Sequence, residues 1–234
     1  MSETETGGKG TTDMGLISKL VGKQGNPAEA AVPPVPTGEA VTRVMKSLAT
    51  GAPAKVAKAG AEIATALNTV ETAILAVDIV ADLLVEAELL TATARETESV
   101  GRRALIANRY ITLLQTISDT VERAEHNGMN LLDGARSTYE IKLDSEERAS
   151  IALHVANLTI EPEGLDLRSP REEFASQMEI ERTIAEIDAA RRTASRVADL
   201  FADSSAVLAE RLARLDQDFG PDAAQATKPT GAGH

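Results

Sequence analysis

From about Ala54 to Ala94 the chain carries no proline, and Ile63, Leu67, Val70, Ile74, Val77, Ala81 and Leu84 step by four and three in turn. That spacing returns to one side of a helix every seven residues. It predicts one long amphipathic helix whose seam needs an equally long helical partner. Beyond Leu84 the seam drifts to Ala87 and Leu90, as a straight helix outruns a strict seven-residue repeat. Packing must therefore run lengthwise, side by side.

Two further segments can serve as partners. Glu96–Val100 reads as a connection with Gly101 near its end, so the next helix returns antiparallel. That helix carries Ile106, Tyr110, Leu113, Ile117, Val121 and Ala124 on one stripe. It runs into Asn127-Gly128, which tolerates positive φ and can reverse the chain, then into Leu131-Leu132 and Asp133-Gly134. A third helix is expected from about 172 to 217. Ser169 reads as its N-cap, Pro170 as its first helical position and Glu172 as an early acid. Its stripe comprises Phe174, Met178, Ile180, Ile184, Ile187, Ala194, Val197, Phe201, Leu208, Leu212 and Leu215. At about 1.5 Å per residue it would be about 60–65 Å long. The expected core seam is Leu67, Ile74, Tyr110, Leu113, Ile117, Ile184, Ile187 and Phe201.

Between the second and third helices the period changes to two. Tyr139, Ile141 and Leu143 alternate with polar neighbours, as do Ile151, Leu153 and Val155, around the polar run Asp144–Ala149. This predicts a β-hairpin over about 137–160, extended through Leu158 and Ile160. The expected organisation is a disordered tail over 1–39, a short helix and linker over 40–53, a helical rod over 54–217 and a disordered tail over 218–234. Gly7-Gly8, Gly22, Gly25 and Pro33-Pro34-Val35-Pro36 break any helix in the first tail. The apolar island Leu16, Ile17, Leu20 and Val21 is too short to hold a helix in water, and reads as a transient turn or a docking peptide.

Composition narrows the function classes. Hydrophobic residues make up 43% but aromatic ones only 2%, so small aliphatic side chains must fill the core along closely packed helices. The formal charge of −12 opposes binding to nucleic acid or an anionic membrane, both of which draw on clustered basic charge. Cysteine is absent, which excludes disulfides and thiolate metal sites. Val77–Leu90 is the most apolar run, but Asp78, Asp82, Glu86 and Glu88 interrupt it, so no membrane span is expected. The start, Met1-Ser-Glu-Thr-Glu-Thr, lacks the layout of a secretory signal. Export, if it occurs, takes another route.

Catalytic chemistry finds little support. His126, His154 and His234 have no second ligand at metal-binding spacing and read as solvent-facing. Glu146 and Glu147 sit in the hairpin loop, without the burial that tunes an acid/base pair. The Gly-rich segments 7–10 and 231–233 lack a strand-to-helix context. Arg102-Arg103 and Arg191-Arg192 read as helix-surface pairs with nearby acids. No enzyme activity, metal or cofactor is expected.

Arg103 near a helix start, then Asn127-Gly128-x-x-Leu131-Leu132-x-Gly134 after the helix, resembles the first conserved region of the bacterial flagellins. Val70-Glu71-Thr-Ala-Ile-Leu75 with Leu83-Leu-Val-Glu-Ala-Glu-Leu89 is similar to another passage of that family. Ala185-Glu-Ile-Asp-Ala-Ala190 and Arg211-Leu-Ala-Arg-Leu215 are similar to its C-terminal part. The match spans roughly 55–134 and 173–217. It implies a mostly α fold, an elongated three-long-helix bundle like the flagellin inner rod, with a small β-hairpin and disordered termini. Departures are equally specific. Residues 1–52 are polar and proline-broken, and the chain after Asp218 is rich in Gly and Pro, where flagellins carry paired terminal helices. His126 stands in place of the usual Phe, and the variable outer domains are missing.

The resemblance thus implies a minor or accessory flagellar structural protein, packing by helix faces against flagellin or other flagellar proteins, with self-association possible. Its place would be the flagellum or the exterior, reached by non-Sec export. A second reading is a cytoplasmic binding or regulatory module that contacts flagellin, its export chaperone or the export machinery. A third is a generic helical bundle in which the motif is coincidental.

Overall fold

A computed structural model describes residues 38–143 and 150–221, all within one compact unit. The expected tails over 1–37 and 222–234 lie outside the described residues, as do the Leu16–Val21 island, both Gly-rich segments, His234, and Glu146 and Glu147. The described chain is mostly helical. Helices α1 (Gly38–Gly51), α2 (Ala54–Glu96), α3 (Val100–Arg123) and α4 (Gln177–Phe219) are accompanied by two antiparallel strand pairs, both between α3 and α4. These are β1 (Glu125–His126) with β2 (Met129–Asn130), and β3 (Thr138–Lys142) with β4 (Ser150–His154).

Helix α2 is the common partner. It packs along α4 and α3, while the backbones of α3 and α4 approach each other at most locally. At 43 residues each, α2 and α4 are about 64 Å long, against about 36 Å for α3 with its 24 residues. The three are therefore not equal rods. Because α2 is covered from two sides, its burial spreads beyond the expected seam to Ala66, Ala73, Ala76 and Val80. Ile74 and Ala81, both placed in that seam, are only half-buried. Alanines at 66, 73, 87, 94, 107, 190 and 194 are buried almost completely, and their small side chains let the helices approach closely. Buried threonines on these helices satisfy their hydroxyls locally, as Thr91 Oγ1 donates to the Ala87 carbonyl at 3.1 Å and Thr183 Oγ1 to the Glu179 carbonyl at 3.0 Å.

Helix α1 packs against both α2 and α4, burying Val41 and Leu48. The approach is close: a Cβ at Gly60 of α2 would meet Leu48 Cδ1 at 2.6 Å.

Three boundaries differ from the sequence reading. The α2–α3 connection is shorter, with Ser99 as the N-cap and Gly101 inside the first turn of α3. Helix α4 starts at Gln177, not near 172, and its cap is Ser176, whose hydroxyl accepts the Glu179 N–H at 3.2 Å. Ser169-Pro170-Arg171-Glu172 lies outside the helix because the buried Glu179 carboxylate gathers the N–H groups of Arg171, Glu172 and Phe174. That gathering holds Glu173 at φ 53° and Phe174 at φ 62°, so the segment turns. Phe174 is buried, but from this turn. Met178, expected on the stripe, is 80% exposed.

In the hairpin, Tyr139 pairs with Leu153 and Ile141 with Ile151, and Ile141, Ile151 and Leu153 face the core. The expected extension through Leu158 and Ile160 is not strand. Those residues turn so that the Ala156 and Leu158 N–H groups bond the Leu131 and Leu132 carbonyls at 2.8 and 2.9 Å.

Leu113→Asp (5% exposed in the wild type) and Ile187→Asp (fully buried) each place a carboxylate among aliphatic side chains. An unpaired buried charge costs several kcal/mol. Each variant is expected to lose cooperative thermal unfolding in far-UV circular dichroism, whereas exposed Met178→Asp should melt as the wild type does.

Candidate functional site

The grooves lined by described residues are shallow and open. Candidate sites are therefore the folded motif around Asn127–Gly134 and the outward helix faces.

The motif begins where α3 ends at Arg123, with Ala124 as its C-cap. The sequence reading placed His126 at the helix end. It lies instead in β1, opposite Met129, with Glu125 opposite Asn130. Asn127 (φ 52°) and Gly128 (φ 73°) form the two-residue loop of this hairpin. Two consecutive left-handed residues match the twist of the flanking strands. Leu131 and Leu132 then plunge into the core with no exposed surface. Gly134 sits at φ 66°, with Asn157 Cγ only 2.6 Å from where a Cβ would stand. Both the backbone angle and the neighbour require glycine there.

Asn130 ties these parts together. Its side-chain NH2 donates to the Val121 carbonyl at 2.7 Å, closing the end of α3. Its Oδ1 accepts the Leu132 N–H at 2.8 Å. The sequence reading passed over Asn130 as a free position of the motif. Its signal was available: an asparagine just after a helix end and hairpin turn is a natural cap.

Arg103 belongs elsewhere. About 30 Å of helix separates it from the hairpin, so the structure does not bring it together with Asn127, Gly128, Leu131, Leu132 and Gly134. Nor does it pair with an acid among the described residues. Its guanidinium donates to the carbonyls of Phe174 (3.2 Å), Ala175 (3.0 Å) and Glu98 (3.3 Å). It thereby joins the α2–α3 connection to the turn before α4. The Tyr110 ring lies 5.7 Å from that of Phe174. Arg191 does pair with an acid, Glu88 of α2.

Of the expected seam, Leu67, Tyr110, Leu113, Ile117, Ile187 and Phe201 are buried, whereas Ile74 and Ile184 are only half-buried at its margin. The Tyr110 hydroxyl and Glu186 Oε2 are buried without a protein hydrogen-bond partner. Burial, with the nearby Glu186 carboxylate second, pushes the Tyr110 hydroxyl well above its usual range. Burial likewise raises the Glu186 carboxyl above its ordinary value, against the lowering effect of Arg182 and Arg168. His154 lies exposed on β4 and His126 is half-buried. Among the described residues no group of three His, Asp or Glu could hold a metal ion, and no helix is long and apolar enough to cross a membrane.

No protein-family model matches the chain, and no curated protein matches it. Among solved structures the chain is similar to the crystal structure of Bacillus cereus flagellin. The likeness has a TM-score of 0.50 at 18% identity, covering 70% of this chain and 92% of that one. The shared property is a flagellin-like fold.

Arg103→Ala removes three charge-assisted bonds and is expected to cost about 1.5–3 kcal/mol, read as faster amide exchange over 171–176. Arg103→Lys should not restore protection, since an ammonium cannot span the carbonyls as the guanidinium fork does. Glu186 predicts a pH effect. Its carboxyl holds a proton more tightly folded than unfolded, so its contribution is full below the unfolded value, near 4.5, and fades as pH rises through the folded one. Glu186→Gln should therefore be more stable than the wild type at neutral pH and no more stable in acid, by denaturant melts across that range.

Proposed function

We propose that this chain is a flagellin-like structural protein of the bacterial flagellum, a minor or accessory subunit that packs by its helix faces against flagellin-type rods. The observation that carries the reading is the fold: two helices of 43 residues packed lengthwise, with a likeness to a flagellin over 92% of that solved chain. In support, large apolar side chains point outward on the long helices. Leu75 is 65% exposed and Leu89 63% on α2, and Leu105 is 68% exposed on α3. Surfaces of this kind suit lateral packing against other rods more than a substrate. The rod of this proposal is residues 54–217, and the Asn127–Gly134 motif acts as its structural clip. Assembly of this kind requires export of the chain to the filament.

Cell fractionation into sheared filaments, medium and cytoplasm, with immunodetection of the chain, tests the reading. Detection in the filament fraction is expected. Retention in the cytoplasm together with flagellin or an export chaperone would replace the structural role with a regulatory one.

A further inference from the structure

Helix α2 turns one apolar stripe away from the core. Leu75, Ile79, Asp82, Glu86 and Leu89 recur at spacings of four and three, with Val85 beside them. Leu75, Ile79, Val85 and Leu89 are 65%, 50%, 42% and 63% exposed. From Leu75 to Leu89 the stripe is about 21 Å long. A shallow groove flanks it on each side. That toward α4 has a volume of about 250 Å³ and is floored by small residues, Ala81, Ala194, Ser195 and Ala198. That toward α3, about 220 Å³, lies along Leu83, Arg109 and Leu113. A ridge between two grooves is the complement of a helix laid alongside.

The charges decide which helix. Asp78 and Asp82 take part in no ion pair among the described residues. Glu86 reaches Arg109 of α3 only at 3.8 Å, with both side chains more than half exposed. A second copy of this chain fits badly. Paired parallel and in register, Asp78, Asp82 and Glu86 each face their own equivalents. Paired antiparallel about the centre of the stripe, Asp82 faces Asp82 and Glu86 faces Asp78. Like charges opposed in a seam penalise both arrangements.

We propose that this face of α2 docks an amphipathic helix of another protein, with apolar residues against Leu75, Ile79 and Leu89 and Lys or Arg at the positions facing Asp78 and Asp82. The central acids admit a basic seam and reject both an acidic one and a second copy. The proposal rests on the packing role above only in taking a helix face as the working surface. A chain found in filaments that fails the peptide test below sinks this proposal alone. A chain that passes but stays in the cytoplasm sinks only the filament reading.

The full-length protein is titrated by fluorescence anisotropy with two synthetic helical peptides of about three heptads. Both carry leucine at the outer seam positions, and they differ only in lysine or glutamate at the central ones. The lysine peptide is expected to bind, and the glutamate peptide to bind at least about tenfold more weakly. The double variant Asp78→Lys with Asp82→Lys should reverse that preference, and Leu75→Ser with Leu89→Ser should abolish binding. Circular dichroism checks that each variant keeps its helicity; Leu75→Ala with Leu89→Ala replaces the serine pair if that does not, and Asp78→Asn with Asp82→Asn, expected to equalise the two peptides, replaces the lysine pair. Equal binding of the two peptides, no binding of either, or binding that survives loss of both leucines would overturn the proposal. So would a wild-type dimer in sedimentation equilibrium that the leucine substitutions dissociate, because the occupant would then be a second copy.

Discussion

The lengthwise contact between α2 and α4 carries the rest of the structure. Two helices of 43 residues can stay together over their full span only if neither presents a bulky obstruction. Buried alanines on the two helices, at 66, 73, 87, 190 and 194, add no such bulk, and dispersion accumulates over many small contacts rather than a few aromatic anchors. Large rings are few in the core, Phe201 on α4, Tyr110 on α3 and Phe174 in the turn before α4. With α2 held on one side by α4, its other side is free to take α3, and α1 closes over the far end.

Polar groups set where this apolar packing starts and stops. Glu179 draws three N–H groups into the turn before α4, and Arg103 clamps the carbonyls of the same turn from α3. At the opposite end of α3, Asn130 ties the last turn of the helix to the Leu131-Leu132 clip. Asn130 satisfies a carbonyl that the end of α3 leaves unpaired, while Glu179 and Arg103 satisfy backbone groups of the turn before α4. The resulting frame spends its buried polar side chains on structure. On the outside, α2 carries an exposed ridge of Leu75, Ile79, Val85 and Leu89.

The mostly helical class and the paired strands were legible in the chain because they follow from period alone. Steps of four and three over Ile63–Leu84 need only a helix and a neighbour, and alternation at Tyr139, Ile141, Ile151 and Leu153 needs only a pleat. The Asn127-Gly128 turn was legible as a reversal, since left-handed backbone is a local property, but its short strands were not. A pair of two-residue strands has no period to read.

Helix identity, strand alternation, and the glycine and asparagine positions were thus determined by the sequence itself, through local backbone preference and repeating burial. Tertiary structure alone decided that α2 is covered from two sides, which moves Ile74 to the margin and brings Ala66, Ala73 and Val80 inside. It also decided that α4 begins at Gln177 rather than at the Ser169-Pro170 cap signal. A local capping pattern was overridden there by one buried carboxylate, Glu179, whose three backbone partners outweigh a single cap bond. The role of Arg103 was settled in the same way, because carbonyls some seventy residues downstream, at Phe174 and Ala175, become its partners only once α3 and the turn before α4 have met.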